Sequence, residues 1–299
     1  MRTLYIVTTN KCTLSCSYCF YNTGLSQKSL SDIKTEKILG KIKSLSEYFD
    51  HVIFTGGEPL LITDIFLLAS EFKKNKVKTS IITNGTLLTS DMCNKISSVF
   101  NKVSLSLDSL DPKLNDLTRG KSSIVRNGLD NLLSVRPDNL EIEIIQTVTA
   151  INYESIDEMM EFCSEKNIKL WLPPVDLNYD DPFSLKRLYG DQMDKLKKIY
   201  KRWIKFESGS NKKEKSALNN FLNNMENLLQ NKSIQAPCRM GVENFVLNPN
   251  GDVYACFFRK DLFFGNIYKD KLSKIMKKIP RKDALSNCVC LGCLSCTDF

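Results

Sequence analysis

The stretch TNKCTLSCSYCFYN, residues 9–22, places cysteines at 12, 16 and 19 directly behind a short apolar run, TLYIVTT (3–9). Three thiols do not pair off as disulfides, and three is one short of the four ligands that close a structural zinc site. The pattern fits a metal centre that takes its last ligand from elsewhere. The chain holds eleven cysteines and a single histidine, His51. Beyond the first group, Cys93 and Cys163 stand alone and six cysteines follow residue 237. A mixed Cys/His finger is therefore poorly supplied, and all-thiolate ligation remains, which means zinc or iron–sulfur.

With 299 residues, 42% hydrophobic and 25% charged, the chain has the length and composition of one large α/β domain plus a smaller one. No apolar run reaches membrane-span length, and MRTLYIVTTNKCT lacks the apolar core and small-residue cleavage site of a signal peptide. A cytoplasmic protein with no membrane contact is expected. The net charge of +8 comes from lysines scattered along the chain, so no nucleic-acid partner is expected either.

Six β-rich runs lie in the first 180 residues: 3–9, 51–57, 78–85, 102–109, 141–150 and 168–175. Helical patterns separate them. Ile38, Ile42, Leu45 and Phe49 recur at helical spacing within 35–49, and Thr63 or Asp64 is placed to cap the next helix. Alternation of this kind implies a parallel sheet whose crossovers are helices, wound into a partial (β/α)6 TIM-like barrel or left open. After Pro182, Leu196, Ile199, Trp203 and Phe206 mark one helix, and Leu218, Phe221, Met225 and Leu228 another. From about residue 236 the chain turns cysteine-rich and is too short for much of a core of its own, as in segments held by a metal. The expected division is 1–183 for the α/β core, 184–235 for a helical linker region and 236–299 for the small cysteine-rich domain.

Ligands of parallel α/β folds gather at the carboxyl ends of the strands. The cysteines lie at the first such end, Gly56, Gly57, Glu58 and Pro59 at the second, Thr83, Asn84 and Gly85 at the third, and Ser106 and Asp108 at the fourth. Each is an ordinary turn residue by itself. Together they describe a polar pocket beside a thiolate group.

On these residues the chain resembles the radical S-adenosylmethionine (radical SAM) enzymes. Cys12, Cys16 and Cys19 match their CxxxCxxC motif, with the aromatic Tyr18 before the third cysteine, and GGEP (56–59) matches their second motif. The resemblance implies that the three cysteines hold a [4Fe–4S] cluster whose fourth iron is chelated by the methionine part of S-adenosylmethionine. Gly56, Gly57 and Glu58 would contact its amino group. Asn84, Ser106 and Asp108 would meet its ribose or carboxylate, as would Arg119 of LTRGKSS. Tyr18 and the backbone at Leu172 and Pro173 would flank the adenine. The reaction implied is reductive cleavage to a 5′-deoxyadenosyl radical that abstracts a substrate hydrogen atom.

Cys238 and Cys256 frame CRMGVENFVLNPNGDVYAC, spaced C-x12-G-x4-C, in which NPNGDVY reads as a hairpin turn. GNIYKDKLSKIMKK follows, then CVCLGCLSC (288–296). On spacing alone a zinc ribbon is an open alternative. This order resembles the SPASM and twitch auxiliary-cluster domains, in an abbreviated form that implies one auxiliary [4Fe–4S] cluster. The implied ligands are Cys238, Cys256, Cys290 and Cys293, with Cys288 or Cys296 as substitutes for one of them. Cys93 and Cys163 fall in helical patterns and are expected to be buried and structural.

Relatives with such a domain modify ribosomally made peptides, by cross-linking or epimerisation, or act on small molecules such as aminosugars. The peptide reading is preferred. The chain begins almost at its first strand, so no leader-peptide recognition module is expected ahead of it. Asp176, Asp180 and Asp181 beyond strand six either face a cationic substrate or are solvated loop residues. A flavodoxin or ferredoxin is the expected reductant. A non-catalytic iron–sulfur carrier and a zinc-binding module are the readings from other classes.

Overall fold

The computed structural model describes residues 1–19, 32–208, 222–225, 227, 229, 240–257 and 261–279. Six parallel strands appear where the apolar runs predict them: β1 (Thr3–Val7), β2 (His51–Thr55), β3 (Lys78–Thr83), β4 (Lys102–Ser106), β5 (Glu141–Ile145) and β6 (Lys169–Trp171). They pair in sequence order, each neighbour parallel. Between them run α1 (Thr35–Leu39), α2 (Ile42–Ser46), α3 (Ile65–Lys74), α4 (Ser90–Val99), α5 (Pro112–Thr118), α6 (Ser122–Ser134) and α7 (Ile156–Glu165). No pairing closes this sheet into a barrel among the described residues.

The apolar sides of the strands and helices meet in one core. Ile142 and Ile144 of β5 are buried, whereas Glu141 and Glu143 lie on the other side of the strand. That side carries polar contacts: Lys102 Nζ lies 2.7 Å from Glu143 and 3.3 Å from Glu141, and the Ser104 hydroxyl donates to Glu143. Cys93 and Cys163 are buried on α4 and α7, as expected for structural cysteines. Residues 35–49, expected as one helix, form two. A glycine in a helix interior costs about 1 kcal/mol, and the chain breaks at Gly40, with the Lys41 N–H turning to the Ile38 carbonyl. Ile38, Ile42, Leu45 and Phe49 are buried all the same. Asp64 precedes α3 as the N-cap residue, but its side chain makes no capping bond.

Helix α8 (Asp191–Ser208) carries the residues 196, 199 and 203 in a buried face. It also covers the free edge of β6 with side-chain atoms. The Leu170 N–H donates to Glu207 (2.7 Å), the Trp203 indole donates to the Leu170 carbonyl (2.8 Å), and the Tyr200 hydroxyl donates to the Leu172 carbonyl (3.0 Å). An exposed edge would invite pairing with another chain, and this one is satisfied from within. Burial, partly offset by the Leu170 N–H, lifts the Glu207 pKa from 4.5 to about 7. The folded protein thus binds a proton that the unfolded chain has released between those values. The associated stability is complete below pH 4.5 and is lost as pH rises through 7. Glu207→Gln keeps an acceptor for Leu170 without a charge. Relative to wild type it gains on the order of 2 kcal/mol between pH 5 and 8 in denaturant titrations.

The C-terminal part joins the same sheet. β7 (Asn244–Leu247) pairs parallel with the free side of β1, Thr3 opposite Asn244, and β8 (Asp252–Tyr254) and β9 (Phe263–Asn266) extend it antiparallel. The sheet has nine strands in the order β6-β5-β4-β3-β2-β1-β7-β8-β9. The turn 248–251 is the expected hairpin, with the Gly251 N–H on the Asn248 carbonyl. Phe245 stacks edge-on against Phe49, and the Lys34 N–H donates to the Tyr268 hydroxyl, so the added strands share the core of the first ones. Residues 218, 221 and 228 of the second expected helix lie outside the described residues; Leu222 and Met225 are helical and buried.

Candidate active site

The loop leaving β1 is held by the loop leaving β2. The Gly57 N–H donates to the Thr9 carbonyl and the Glu58 N–H to the Lys11 carbonyl, both at 2.8 Å. The approach leaves no room for side chains. A Cβ on Gly56, which has φ +134°, would lie 2.5 Å from the Thr9 oxygen, and one on Gly57 would lie 2.0 Å from the Lys11 oxygen. This is why the second motif must begin with two glycines.

Glu58 is fully buried. Its carboxylate accepts from the Leu60 N–H (3.1 Å), the Thr83 hydroxyl (2.8 Å) and the Asn84 N–H (2.8 Å). Burial raises its pKa to about 7 against the pull of these donors. Here its side chain serves the loops around the site, fastening the end of β3 to the end of β2. Asn84 continues the link: its amide nitrogen lies 3.4 Å from Cys12 Sγ and 3.0 Å from Thr13 Oγ1.

Cys12 is exposed and Cys16 and Cys19 are half-buried. The Cys19 N–H donates to the Cys16 carbonyl, so these two share one turn. Burial pushes the Cys16 thiol up to about 11, against the nearby Arg119; a bound iron would supply the charge that displaces its proton. The loop is tied on its far side as well. The Ser17 N–H donates to the Thr118 carbonyl at the end of α5, and Lys121 Nζ donates to the Thr13 carbonyl.

Tyr18, Asp108 and Arg119 meet. The Tyr18 hydroxyl donates to Asp108 Oδ2, Arg119 Nε lies 2.8 Å from Asp108 Oδ1, and the guanidinium lies 5.6 Å from the Tyr18 ring centroid. The Thr147 N–H also donates to Asp108, and Arg119 donates to the Thr147 hydroxyl. Asp108 is wholly buried and the Arg119 side chain is 10% exposed. Ser106 is buried at the end of β4. Leu172 follows β6, and its carbonyl is taken by Tyr200.

The cysteines, the glycine pair, Glu58, Asn84, Asp108 and Arg119 thus form one connected region at the carboxyl ends of β1 to β4. Sequence reasoning missed Thr13, Thr86, Thr147 and Asn152, which complete its hydrogen bonds; Asn152 donates to the Asp108 carbonyl. Their only signal was their position just past strand ends. Cys256 is buried, close behind β8. Cys238, Cys288, Cys290, Cys293 and Cys296 lie outside the described residues. Among the described residues no three Cys, His, Asp or Glu side chains converge on a single metal ion.

The family model of the Radical SAM superfamily matches residues 6–165, more than half of the chain. This chain belongs to the radical SAM superfamily. A second model, of the SPASM iron–sulfur cluster-binding domain, matches residues 238–297. Radical SAM enzymes with a SPASM domain use S-adenosylmethionine, a [4Fe–4S] cluster and auxiliary iron–sulfur ligation. The site fits that set: three thiols on one loop, and beside it a glycine pair that lets the loops leaving β1 and β2 lie backbone to backbone. The radical SAM chain is 32% identical to the probable GTP 3′,8-cyclase of Methanocaldococcus jannaschii over 171 residues, 55% of this chain and 56% of that one. To the GTP 3′,8-cyclase of Clostridium botulinum it is 30% identical over 173 residues, 56% and 54% of the two chains. It spans about half the length of these curated relatives.

Solved structures resemble this radical SAM protein over far more of its length. Streptococcus suis SuiB bound to precursor peptide SuiA superposes with a TM-score of 0.70 at 18% identity, covering 98% of this chain and 70% of that one. Native anSMEcpe with bound AdoMet and Cp18Cys peptide gives 0.69 at 21%, covering 95% and 82%. These likenesses show the mixed α/β fold with its parallel sheet. Among the described residues no helix is long and apolar enough to cross a membrane.

Proposed function

We propose that this radical SAM enzyme modifies a ribosomally made peptide by cross-linking or epimerisation. The observation that carries the site chemistry is the lock between the cysteine loop and the glycine pair, Gly57 on Thr9 and Glu58 on Lys11. The peptide reading is supported by the extent of the likenesses. The peptide-bound SuiB and anSMEcpe structures share its fold over nearly the whole chain.

Cys12, Cys16 and Cys19 would hold the [4Fe–4S] cluster, and Gly56 and Gly57 would present backbone to the methionine part of S-adenosylmethionine, with Ser106 near its ribose or carboxylate. When bound, the reduced cluster and S-adenosylmethionine would together supply a 5′-deoxyadenosyl radical able to take a hydrogen atom from the substrate. Asp108 and Arg119 act on Tyr18, fixing its ring beside the cysteine loop. In the division 1–183, 184–235 and 236–299, the last unit would ligate one auxiliary cluster through Cys238, Cys256, Cys290 and Cys293, with Cys288 or Cys296 as substitutes. A flavodoxin or ferredoxin of the cytoplasm would supply the electron.

The test is anaerobic reconstitution with iron, sulfide, dithionite and S-adenosylmethionine. Wild type releases 5′-deoxyadenosine, and Cys12→Ala, Cys16→Ala and Cys19→Ala each reduce it to background. A peptide encoded beside the gene and deuterated at the reacting carbon transfers its label into 5′-deoxyadenosine. Label transfer from a nucleotide or an aminosugar in place of the peptide would reject the peptide reading. No 5′-deoxyadenosine from any substrate would reject the enzyme.

A further inference from the structure

Asn84 lies at the end of β3, where it was expected to touch S-adenosylmethionine, and its side chain makes a defined set of contacts there. The carboxamide oxygen accepts from the Thr86 N–H (3.0 Å) and the Thr86 hydroxyl (2.7 Å). A backbone N–H can only donate, so this end of the amide is fixed as oxygen and the opposite end as nitrogen. That nitrogen has two hydrogens and two acceptors, Thr13 Oγ1 at 3.0 Å and Cys12 Sγ at 3.4 Å. Thr13 and Thr86 join hydroxyl to hydroxyl at 2.5 Å, which closes a ring from amide nitrogen through both hydroxyls back to amide oxygen. The backbone of Asn84 is pinned in turn by the buried Glu58. Every freedom by which the amide could turn away from the sulfur is removed. The Leu14 N–H points at the same sulfur at 3.5 Å, so Cys12 Sγ receives two N–H groups.

We propose that Asn84 is a positioning residue that raises the reduction potential of the cluster held by Cys12, Cys16 and Cys19, through an N–H···S hydrogen bond to Cys12. This rests on the reading of those three cysteines as cluster ligands. Reduction adds negative charge that is shared onto the ligand sulfurs, and a fixed donor stabilises the reduced form more than the oxidised one. The two threonines act by aiming the donor. The motif after β2 and the cysteine loop are thereby connected through one side chain, Glu58 to Asn84 to Cys12.

The experiment is a redox titration of the anaerobically reconstituted enzyme. It follows by EPR the reduced-cluster signal that changes when S-adenosylmethionine is added, which separates this cluster from an auxiliary one. Asn84→Ala and Asn84→Leu are compared with wild type. At the potential where wild type is half reduced, the ratio of reduced to oxidised cluster falls about tenfold in the variants, a shift of about 59 mV for one electron. In wild type exchanged into deuterium oxide, exchangeable deuterons from Asn84 and from the Leu14 N–H couple to the reduced cluster, and both variants lose the Asn84 one while that of Leu14 remains. Unchanged potentials with weakened S-adenosylmethionine binding would overturn the proposal and return Asn84 to the cofactor. Loss of iron from both variants while wild type loads would overturn it in favour of a structural tie. Wild type without iron and acid-labile sulfide would instead reject the cluster reading itself.

Discussion

Asp108→Ala lowers the unfolding free energy by about 3–5 kcal/mol, the usual cost of leaving a buried charge without its partner. Asp108 is fully buried, and its two carboxylate oxygens serve Arg119, the Tyr18 hydroxyl and the Thr147 N–H. Removing it strands the guanidinium, whose side chain is only 10% exposed. The loss is measured by urea titration of the apoprotein, which keeps it separate from cluster content. Arg119→Met alone is costly for the mirror-image reason. The double variant Asp108→Leu/Arg119→Met recovers part of the loss, because an apolar pair needs no charge partner, while the Tyr18 hydroxyl and the Thr147 N–H still lose their acceptor. Equal stability of Asp108→Ala and wild type would show that water reaches the pair.

Gly57→Ala reduces 5′-deoxyadenosine formation by roughly 10²-fold or more, the scale expected when reacting groups are displaced by about 1 Å. The new Cβ would lie 2.0 Å from the Lys11 carbonyl oxygen and 2.6 Å from its carbon. Backbone on both sides must separate, and the segment that moves runs directly into Cys12. Overpacking of this kind also costs about 1–3 kcal/mol of stability. Gly40→Ala is the control. Its nearest neighbours would stand at 3.6 Å and its backbone is already helical, so the same added methyl leaves activity unchanged. The contrast is read from iron content, S-adenosylmethionine cleavage and thermal melting of the two variants. Wild-type activity in Gly57→Ala would mean that the two loops can part without harm.

The features legible in the sequence are those set by neighbours along the chain. Short β-rich runs separated by helical patterns declare parallel strands, and all six such runs contain one. Strand six ends early, at Trp171, because Pro173 and Pro174 have no N–H to give to a ladder. Cys12, Cys16, Cys19 and the Gly56–Gly57 pair were readable because spacing carries their chemistry. What was not readable joins residues far apart in sequence. Asp108 and Arg119 were legible as polar residues expected to face the cofactor, but nothing in their spacing announced that they also meet each other and Tyr18. Asn84 was legible as a polar strand end, but the ring with Thr13 and Thr86 depends on how two loops dock. The hairpin near Gly251 was visible as a turn signal. Nothing local to it revealed that its first strand would lie beside β1.

That last pairing bears on the order in which the protein can be made. β1 precedes β7 along the chain, and Thr3 waits for Asn244 as its partner on one side. Until β7 has emerged, the strand that delivers the cysteine loop has one bare edge. Contacts this distant in sequence form slowly, since loop-closure entropy is lost before they return anything. The strand that delivers the cysteine loop therefore gains its second neighbour only after β7 has been made.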